Sequence, residues 1–404
     1  MADRHKFIQE KYGLKDEKEV LETFRVDVSR KKQLKWWINR EEELKKWRKV
    51  IKESIKLNKN YIVFIIGSYG RGKTLSLYKL IDEAESHKEI YPVYLNFKGE
   101  EKSKAGLDFI FRIFRNVNFS KLRNSKTDEE VKYAIENLPE TFEEPKNVFN
   151  KIYFTESNKS QQKLFTKKAQ IQAEKNKLVS RLALSFIRGE IKPTTLQLNQ
   201  LGIIRKIENI DIAKEYFAAL LCFMKNLGYK ALLLAVDEFE YLFSLVPKSQ
   251  HSIYIALLRG LYDFPSGIDI EPENIANIVF FIAVSEDGWT SLKEMEKREI
   301  SVGGPTVALL DRIDPPTVLR AFNKVQTREL IIKRLKYNRI AGKFEDKPLI
   351  PFTEDFVDFI YEKTRGEPRA IITRCGHVLD AGLAKRVPLL TREFAQEVLK
   401  ERGF

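Results

Sequence analysis

The chain has 404 residues, of which 43% are hydrophobic and 32% are charged, and its formal net charge is +14. This length exceeds one ordinary domain, and the composition is that of a globular protein with a large buried core. No apolar run approaches the ~20 residues that cross a bilayer, and the charged N-terminus lacks the apolar core of a secretory signal. We therefore expect a cytoplasmic protein that does not span a membrane.

The cysteines, the histidines and the net charge narrow the function further. Cys222 and Cys375 each lie in an apolar helical pattern, and the 4 histidines are scattered singly, so neither a disulfide framework nor a zinc site is expected. The positive charge fits contact with nucleic acid, anionic lipid or an acidic partner, and it does not choose among them. The Lys/Glu-rich composition also fits a thermophile with surface ion-pair networks.

The first 100 residues predict polar helices followed by a strand, loop, helix and strand unit. Residues 1–58 form the predicted N-terminal helical segment, and Asn39 and Arg40 begin its last helix. The continuous apolar run 61–66 (YIVFII) predicts a parallel strand that is covered on both faces. Apolar residues then recur at helical spacing, and 91–97 (YPVYLNF) predicts the next strand.

Residues 101–205 read as a polar helical insertion, with Thr127 starting a capping-box pattern. The stretch from Lys159 to Lys192 interleaves basic and aromatic residues, which either track a phosphate backbone or form a solvated helical face. These residues are Lys163, Phe165, Lys167, Lys168, Lys175, Lys177, Arg181, Phe186 and Arg188.

The rest of the chain alternates strands and helices and then becomes helical to its end. An apolar helix at 212–226 precedes a buried strand at 231–236, and a further strand follows at 277–284, with a weaker candidate at 318–325. Strands that alternate with helices imply a parallel α/β sheet. We predict a core at 59–326 and a small C-terminal helical domain at 327–404.

A glycine-rich loop follows the first strand and matches the pattern G-x-x-x-x-G-K-[ST]. Its residues are Gly67, Ser68, Tyr69, Gly70, Arg71, Gly72, Lys73 and Thr74. The glycines let backbone N–H groups turn inward around phosphate oxygens, and the following helix presents its N-terminus to the same anion. We expect Lys73 to reach the β- and γ-phosphates and Thr74 to coordinate Mg²⁺, with Leu75 continuing the nucleotide-binding segment.

Two carboxylates, Asp237 and Glu238, follow the buried strand at 231–236. The carboxyl edge of a parallel sheet is where ligands of open α/β folds bind. We expect Asp237 to hold Mg²⁺ and Glu238 to orient and deprotonate the attacking water. Glu240 is the rival base, although its position predicts that it faces solvent.

Five further residues are candidates for contacts with the phosphates. Ser285 ends the strand 277–284 and either hydrogen-bonds the γ-phosphate or is an ordinary strand-ending serine. Arg369, in Gly366-Glu367-Pro368-Arg369 at a predicted helix start, either swings onto the phosphates or belongs to a surface turn. Arg312 is the first candidate for an arginine that a neighbouring subunit donates to the transition state, followed by Arg298 and Arg259, and each of the three also fits a surface ion pair.

These motifs together resemble those of AAA+ ATPases. The glycine-rich loop, the end of the strand before Asp237-Glu238, Ser285 and Gly366-x-Pro368-Arg369 resemble the Walker A, Walker B, sensor 1 and sensor 2 elements. Asn39-Arg40-Glu41 resembles the box that borders adenine in the initiator (origin-recognition) clade and in archaeal ATPases. Residues 185–190 (SFIRGE), the turn at 201–203 and 227–240 (LGYKALLLAVDEFE) resemble the ATP-binding family of BREX phage-defence systems, in which threonine usually stands where this chain has Ser285.

The resemblance implies a P-loop NTPase (AAA+) fold, with a parallel sheet flanked by helices, a helical insertion and a small helical lid. It also implies ATP and Mg²⁺ as cofactors. The function that follows is ATP hydrolysis by an ATP-dependent homo-oligomer on or near DNA, in a phage-defence or mobile-element system. The alternative is a nucleotide-dependent switch that signals through protein partners and hydrolyses ATP slowly.

Overall fold

The computed structural model describes residues 2–15, 21–26, 30–97, 106–123, 126–157, 167–264 and 270–404. The chain divides into two compact units, each assembled from separate stretches. The first unit contains Met1–Lys45, Ile66–Lys79 and Thr317–Phe404, and the second contains Lys46–Ile65 and Leu80–Pro316. The glycine-rich loop thus belongs to the first unit and Asp237 to the second. The domain limits at 58 and 326 stay a prediction.

One five-stranded sheet has the strand order β2-β3-β4-β1-β5. The strands are β1 (Tyr61–Ile66), β2 (Ile90–Asn96), β3 (Ala231–Asp237), β4 (Asn277–Val284) and β5 (Thr317–Val318). β3 runs parallel to β2 and to β4, and Asn96 lies beside Asp237 in the register. Every residue of β3 and β4 is buried, which explains their unbroken apolar sequences. The predicted parallel α/β fold of a P-loop NTPase is confirmed, while β5 is much shorter than the candidate strand 318–325.

The helices of the described residues are numbered in chain order. They are α1 (Ala2–Phe7), α2 (Arg30–Lys35), α3 (Glu41–Leu57), α4 (Lys73–Glu85), α5 (Leu107–Asn116), α6 (Phe119–Arg123), α7 (Asp128–Glu136), α8 (Glu143–Ser157), α9 (Lys167–Ile187), α10 (Thr195–Leu201), α11 (Ile210–Asn226), α12 (Tyr241–Leu245), α13 (Lys248–Tyr262), α14 (Glu286–Glu299), α15 (Pro305–Leu310), α16 (Lys324–Tyr337), α17 (Glu354–Thr364), α18 (Pro368–Lys385) and α19 (Arg392–Glu401). None of these helices is long and apolar enough to cross a bilayer.

In the second unit, aromatic rings pack on the sheet and hold the chain where β3 ends. Phe239, directly after Glu238, packs edge-on against Phe64 of β1 with 6.1 Å between ring centroids. The Phe97 ring centroid lies 5.3 Å from that of Phe239.

At the start of α7, the Thr127 hydroxyl accepts a hydrogen bond from the Glu130 amide in a complete capping box, so that prediction is confirmed.

In the first unit, N-terminal residues complete the core of the C-terminal helices. Ile8, Tyr12, Leu14 and Phe24 are buried in the same apolar cluster as residues of α16–α19. The Tyr12 hydroxyl donates to the Val387 carbonyl at 2.6 Å. The polar N-terminal segment therefore buries its aromatic residues against helices that come more than 300 residues later.

Candidate nucleotide site

The glycine-rich loop forms a tight turn between β1 and α4. Gly70 and Gly72 have φ angles of +88° and +91°, which residues with a side chain rarely adopt. A Cβ on Gly70 would also lie 2.8 Å from the Cβ of Arg369. α4 begins at Lys73, so its first amides belong to the loop. The residue spacing of a phosphate-binding turn is thus accompanied by the backbone conformation that such a turn requires.

Lys73 lies over its own loop. Its ammonium group donates to the Gly67 carbonyl at 2.8 Å and lies 3.5 Å from the Ser68 carbonyl. An ammonium group has three N–H donors, so one donor remains for an anion in the turn. Thr74 and Leu75 follow in the first turn of α4 and are half-buried.

Residues around the start of α18 contact the glycine-rich loop. The Arg71 guanidinium donates to the Glu367 carboxylate at 3.0 Å. The Arg369 amide donates to the Gly70 carbonyl at 3.3 Å, and its guanidinium carbon lies 4.5 Å from the centre of the exposed Tyr69 ring. The structure therefore brings Arg369 to the loop, as the sensor 2 hypothesis requires. We call these contacts of Glu367 and Arg369 the lid latch.

Gly366 fixes the turn that delivers the lid latch. Its φ is +74°, and a Cβ there would lie 1.8 Å from the Phe322 carbonyl oxygen. The Phe322 amide in turn donates to the Gly366 carbonyl at 2.8 Å. No other residue fits this backbone approach without displacing Phe322.

Arg40 supports the glycine-rich loop from a buried position. Its guanidinium donates to the Arg320 carbonyl at 2.6 Å, contacts the Arg71 carbonyl at 3.5 Å and lies 4.9 Å from the Phe322 ring centre. Burial lowers the pKa of Arg40, and the nearby Glu43 carboxylate opposes this shift. The Asn39 side-chain amide donates to the Gln326 backbone carbonyl at 3.2 Å. Arg40 therefore positions the loop, and contact of either residue with adenine stays a prediction.

Asp237 is the last residue of β3, and both of its carboxylate oxygens accept hydrogen bonds. The Tyr94 hydroxyl donates to Oδ2 at 2.7 Å, and the Glu238 amide donates to Oδ1 at 3.0 Å. The side chain is only 2% exposed. The two hydrogen bonds therefore hold the Asp237 carboxylate in one orientation at the end of β3.

The backbone after Asp237 turns sharply and separates the two candidate bases. Glu238 has φ +58°, in the left-handed region, and the Phe239 amide donates to the Ala283 carbonyl at 3.1 Å. Glu240 is half-buried, and its carboxylate accepts from the Ser285 amide at 3.2 Å. The expectation that Glu240 simply faces solvent misses this contact, by which Glu240 ties the ends of β3 and β4 together.

Ser285 caps a helix. Its hydroxyl oxygen accepts from the Gly288 amide at 3.0 Å, which makes it the N-cap of α14. The hydroxyl proton is not used in this bond, so a contact with phosphate or water stays a prediction.

The arginine-finger candidates take part in ion pairs within the chain. Arg312 donates to Asp263 at 2.7 Å and to the Ala308 carbonyl at 2.7 Å. Arg259 lies 3.4 Å from the same Asp263 carboxylate, and Arg298 lies 3.5 Å from Glu294. The surface ion-pair alternative is thus seen for all three, and a role in a neighbouring subunit stays a prediction.

The Lys-rich stretch from Lys159 to Lys192 is only partly described. Lys175, Lys177 and Arg181 are exposed on α9. Phe186, however, is 2% exposed and packs against Tyr216, so it has no face for a nucleic-acid base. Lys163 and Phe165 lie outside the described residues.

Two supporting groups of the site escape sequence reasoning. Tyr94 was part of a predicted strand, but its hydroxyl bond to Asp237 depends on the strand order, which no local pattern reveals. Glu367 stood inside the predicted turn with Arg369, and its pairing with Arg71 joins segments 296 residues apart. The only signal for Glu367 was its place in the motif.

Comparison with known proteins agrees with the motifs. The family model described as BREX system ATP-binding protein BrxC/D matches residues 109–282, less than half of the chain. This segment includes β3, Asp237 and Glu238, and it begins after the glycine-rich loop. No curated protein matches the chain.

Solved structures of origin-recognition proteins are distantly similar. An ORC structure from Drosophila bound to DNA is 13% identical at a TM-score of 0.44, and the match covers 95% of this chain and 65% of that one. Cdc6p from Pyrobaculum aerophilum is 13% identical at 0.46, with 93% and 70% covered. Orc1 from Aeropyrum pernix, in complex with DNA, is 12% identical at 0.44, with 94% and 69% covered.

The sheet order, the glycine-rich turn and the family match lead to one conclusion. The chain has the parallel α/β fold of a P-loop NTPase with a glycine-rich turn after β1, and its residues 109–282 resemble the BREX system ATP-binding proteins BrxC and BrxD.

Proposed function

We propose that the chain binds ATP with Mg²⁺ and hydrolyses it. The observation that carries this proposal is the loop Gly67–Thr74. Its two positive-φ glycines and the start of α4 at Lys73 make a backbone cradle for a triphosphate. ATP is the nucleotide implied by the ATP-binding family that matches the chain.

The donor set fits a nucleotide-bound Mg²⁺. Bound Mg²⁺ would neutralise charge on the β- and γ-phosphates. Thr74 would supply a hydroxyl oxygen and Asp237 a carboxylate oxygen, and Mg²⁺ prefers such hard oxygen ligands. The hydrogen bonds of Tyr94 and the Glu238 amide hold the Asp237 carboxylate in one orientation for this task.

Glu238 is the proposed general base. A carboxylate in this role orients the attacking water and accepts its proton. Lys73 holds the β- and γ-phosphates, and the hydroxyl of Ser285 supplies a further hydrogen bond. Arg369 reaches the phosphates by leaving the Tyr69 ring, so the lid latch responds to nucleotide.

The finer proposal is an ATP-dependent homo-oligomer that acts on or near DNA, in phage defence or on a mobile element. The net charge of +14 and the BREX-type match support it. In the oligomer Arg312 acts on the nucleotide of a neighbouring subunit, and to do so it exchanges its bond with Asp263 for the phosphates.

One observation favours the second candidate, a slow nucleotide-dependent switch that signals through protein partners. Arg312 is held by Asp263 and by the Ala308 carbonyl within its own chain. If this arginine never leaves that pair, hydrolysis lacks the charge that stabilises its transition state and stays slow.

The test is ATP turnover and native mass, each measured with and without DNA at low and moderate salt. The leading proposal expects a larger assembly with ATP and faster turnover with DNA. A monomer that purifies with ADP and ignores DNA supports the switch. Calorimetry that detects no uptake of adenine nucleotide with Mg²⁺ rejects both.

A further inference from the structure

A cavity of about 280 Å³ lies among the last three helices, α17, α18 and α19. Its lining includes three cations and three large apolar side chains. They are Lys363, Arg374 and Lys400, and Phe359, Leu399 and Phe404. No Asp or Glu side chain lines it, within the part of the chain that the structure describes. We call this cavity the lid pocket.

Acidic residues on the same helices are paired with cations outside the lid pocket. The pairs are Glu362 with Arg392 at 2.7 Å, Asp358 with Lys324 at 2.7 Å, Asp380 with Arg402 at 3.0 Å and Glu397 with Lys385 at 3.0 Å. Among the described residues, no carboxylate lies within ion-pair distance of Lys363, Arg374 or Lys400. Within the described residues, the three cations of the lid pocket therefore have no carboxylate partner.

The Arg374 guanidinium is held in place. It donates to the Lys363 carbonyl at the end of α17, and its carbon lies 5.8 Å from the Phe404 ring centre. The side chain is half-buried, and burial lowers its pKa from the ordinary arginine value. A guanidinium fixed by a backbone carbonyl keeps its remaining N–H donors in a preset plane. Little entropy is then lost when an anion binds there.

The apolar lining adds a second kind of contact. The Phe359 ring is buried under Lys363, whose ammonium lies 5.8 Å from the ring centre. Phe404 is 55% exposed. The buried Phe359 ring offers no face to a base, so the exposed Phe404 ring is the one in this lining that can stack on a base beside the cations.

We propose that the lid pocket binds the phosphodiester backbone of nucleic acid. This proposal rests on the part of the proposed function that places the protein on or near DNA, and it assigns a binding site to that activity. A carboxylate-rich peptide matches the charge and can pair with the guanidinium, but its carboxylates bring no base that would stack on the exposed Phe404 ring. An acidic peptide is therefore an outcome of the test.

The first experiment removes the two exposed lysines. Binding of the full chain to a labelled single-stranded oligonucleotide and to its duplex is measured by fluorescence anisotropy over a range of salt. Lys363→Gln/Lys400→Gln should weaken binding roughly tenfold and reduce the slope of log K against log salt by about 2, since each lysine that meets a phosphate contributes about 1. The matched control is Lys343→Gln/Lys347→Gln, which removes two exposed lysines of the same unit that do not line the pocket.

A second variant tests the guanidinium without changing the net charge. Arg374→Lys keeps the cation and loses the planar fork, so it should weaken binding several-fold while the salt slope changes little. Thermal melting and ATP turnover without DNA are measured for every variant, and both should match the wild type within error for the lysine pair.

The outcomes separate two kinds of failure. An unchanged salt slope in Lys363→Gln/Lys400→Gln, with binding intact, overturns the lid pocket and leaves the proposed action on or near DNA standing. A wild-type chain that binds neither oligonucleotide overturns both, while ATP binding decides the rest of the proposed function. If polyglutamate competes as well as DNA of equal charge, the pocket takes an acidic protein and the proposal is wrong.

Discussion

The glycine-rich loop and the end of β3 are supported in different ways. The loop is held by residues at the start of α18, through the Glu367 carboxylate on Arg71, the Arg369 amide on the Gly70 carbonyl and the Arg369 guanidinium on the Tyr69 ring. Asp237 is held by its own sheet, because it pairs in register with Asn96 and accepts from Tyr94 on the neighbouring strand.

The two kinds of support differ in how easily they break. Buried ladders of parallel strands open only with global unfolding, whereas half-exposed ion pairs break at little cost. The lid latch should therefore break at less cost than the hydrogen bonds that orient the Asp237 carboxylate. Substitutions should act on binding through the loop and on turnover through the end of β3.

The largest effect is expected from Glu238→Gln. The amide cannot accept the proton of the attacking water, so ATP turnover should fall about 10²- to 10⁴-fold while ATP still binds. Steady-state turnover and calorimetry measure the two. Glu240→Gln is the matched control, because it makes the same change at a nearby carboxylate that accepts a hydrogen bond from the Ser285 amide. Wild-type turnover in Glu238→Gln would move the base to Glu240.

Gly366→Ala should cost more stability than any other change in the lid. The new methyl group would overlap the Phe322 carbonyl oxygen, and the φ of +74° adds strain. We expect a loss above ~3 kcal/mol in urea unfolding. Gly342 has φ +78° with open space around it, so Gly342→Ala should cost only about 1 kcal/mol. Equal losses would show that the turn at Phe322 does not matter.

Lys73→Ala should weaken ATP binding. Removing a charged donor to the phosphates costs about 1.5–3 kcal/mol, which is about 10- to 160-fold in Kd. Calorimetry with Mg²⁺ present measures it, with the exposed Lys52→Ala as control. Affinity at the wild-type level in Lys73→Ala would remove the loop from the site.

Tyr94→Phe tests the fixed end of the comparison. Losing the hydroxyl bond to Asp237 costs about 1 kcal/mol, so the Mg²⁺ concentration for half-maximal turnover should rise a few-fold. ATP affinity without metal should not change. A shift in metal-free affinity instead would show that the two regions are not independent.

Glu367→Gln tests the movable end and should have the smallest effect. A partly exposed ion pair contributes about 0.2–1 kcal/mol, so ATP affinity should change up to about five-fold, with the Mg²⁺ dependence unaltered. Hydrogen exchange of the loop amides should quicken as the latch loosens. Exchange that stays slow would mean that Arg369 alone restrains the loop.

The strands, the glycine-rich loop and the acidic residues after β3 could be predicted from the sequence because their signals are local. The glycine spacing, the apolar run before Asp237 and the Thr127 capping box each occupy a few consecutive residues. The bond of Tyr94 depends on strand order, and the packing of Tyr12 and Phe24 with the C-terminal helices depends on long-range contacts. Such contacts leave no periodicity in either segment. Ser285 is only partly predictable from the sequence, because a serine at the end of a strand suits both helix capping and a phosphate contact. The local pattern does not distinguish the two roles.

Arg71 and Glu367 are 296 positions apart in the sequence, which sets a delay during synthesis. At the usual pace of a ribosome, Arg71 is made roughly 15 to 60 s before Glu367. Through that interval the glycine-rich loop lacks the ion pair with Glu367 and the hydrogen bond from the Arg369 amide. These contacts form only after the start of α18 has been made, so the loop reaches its final conformation late in synthesis.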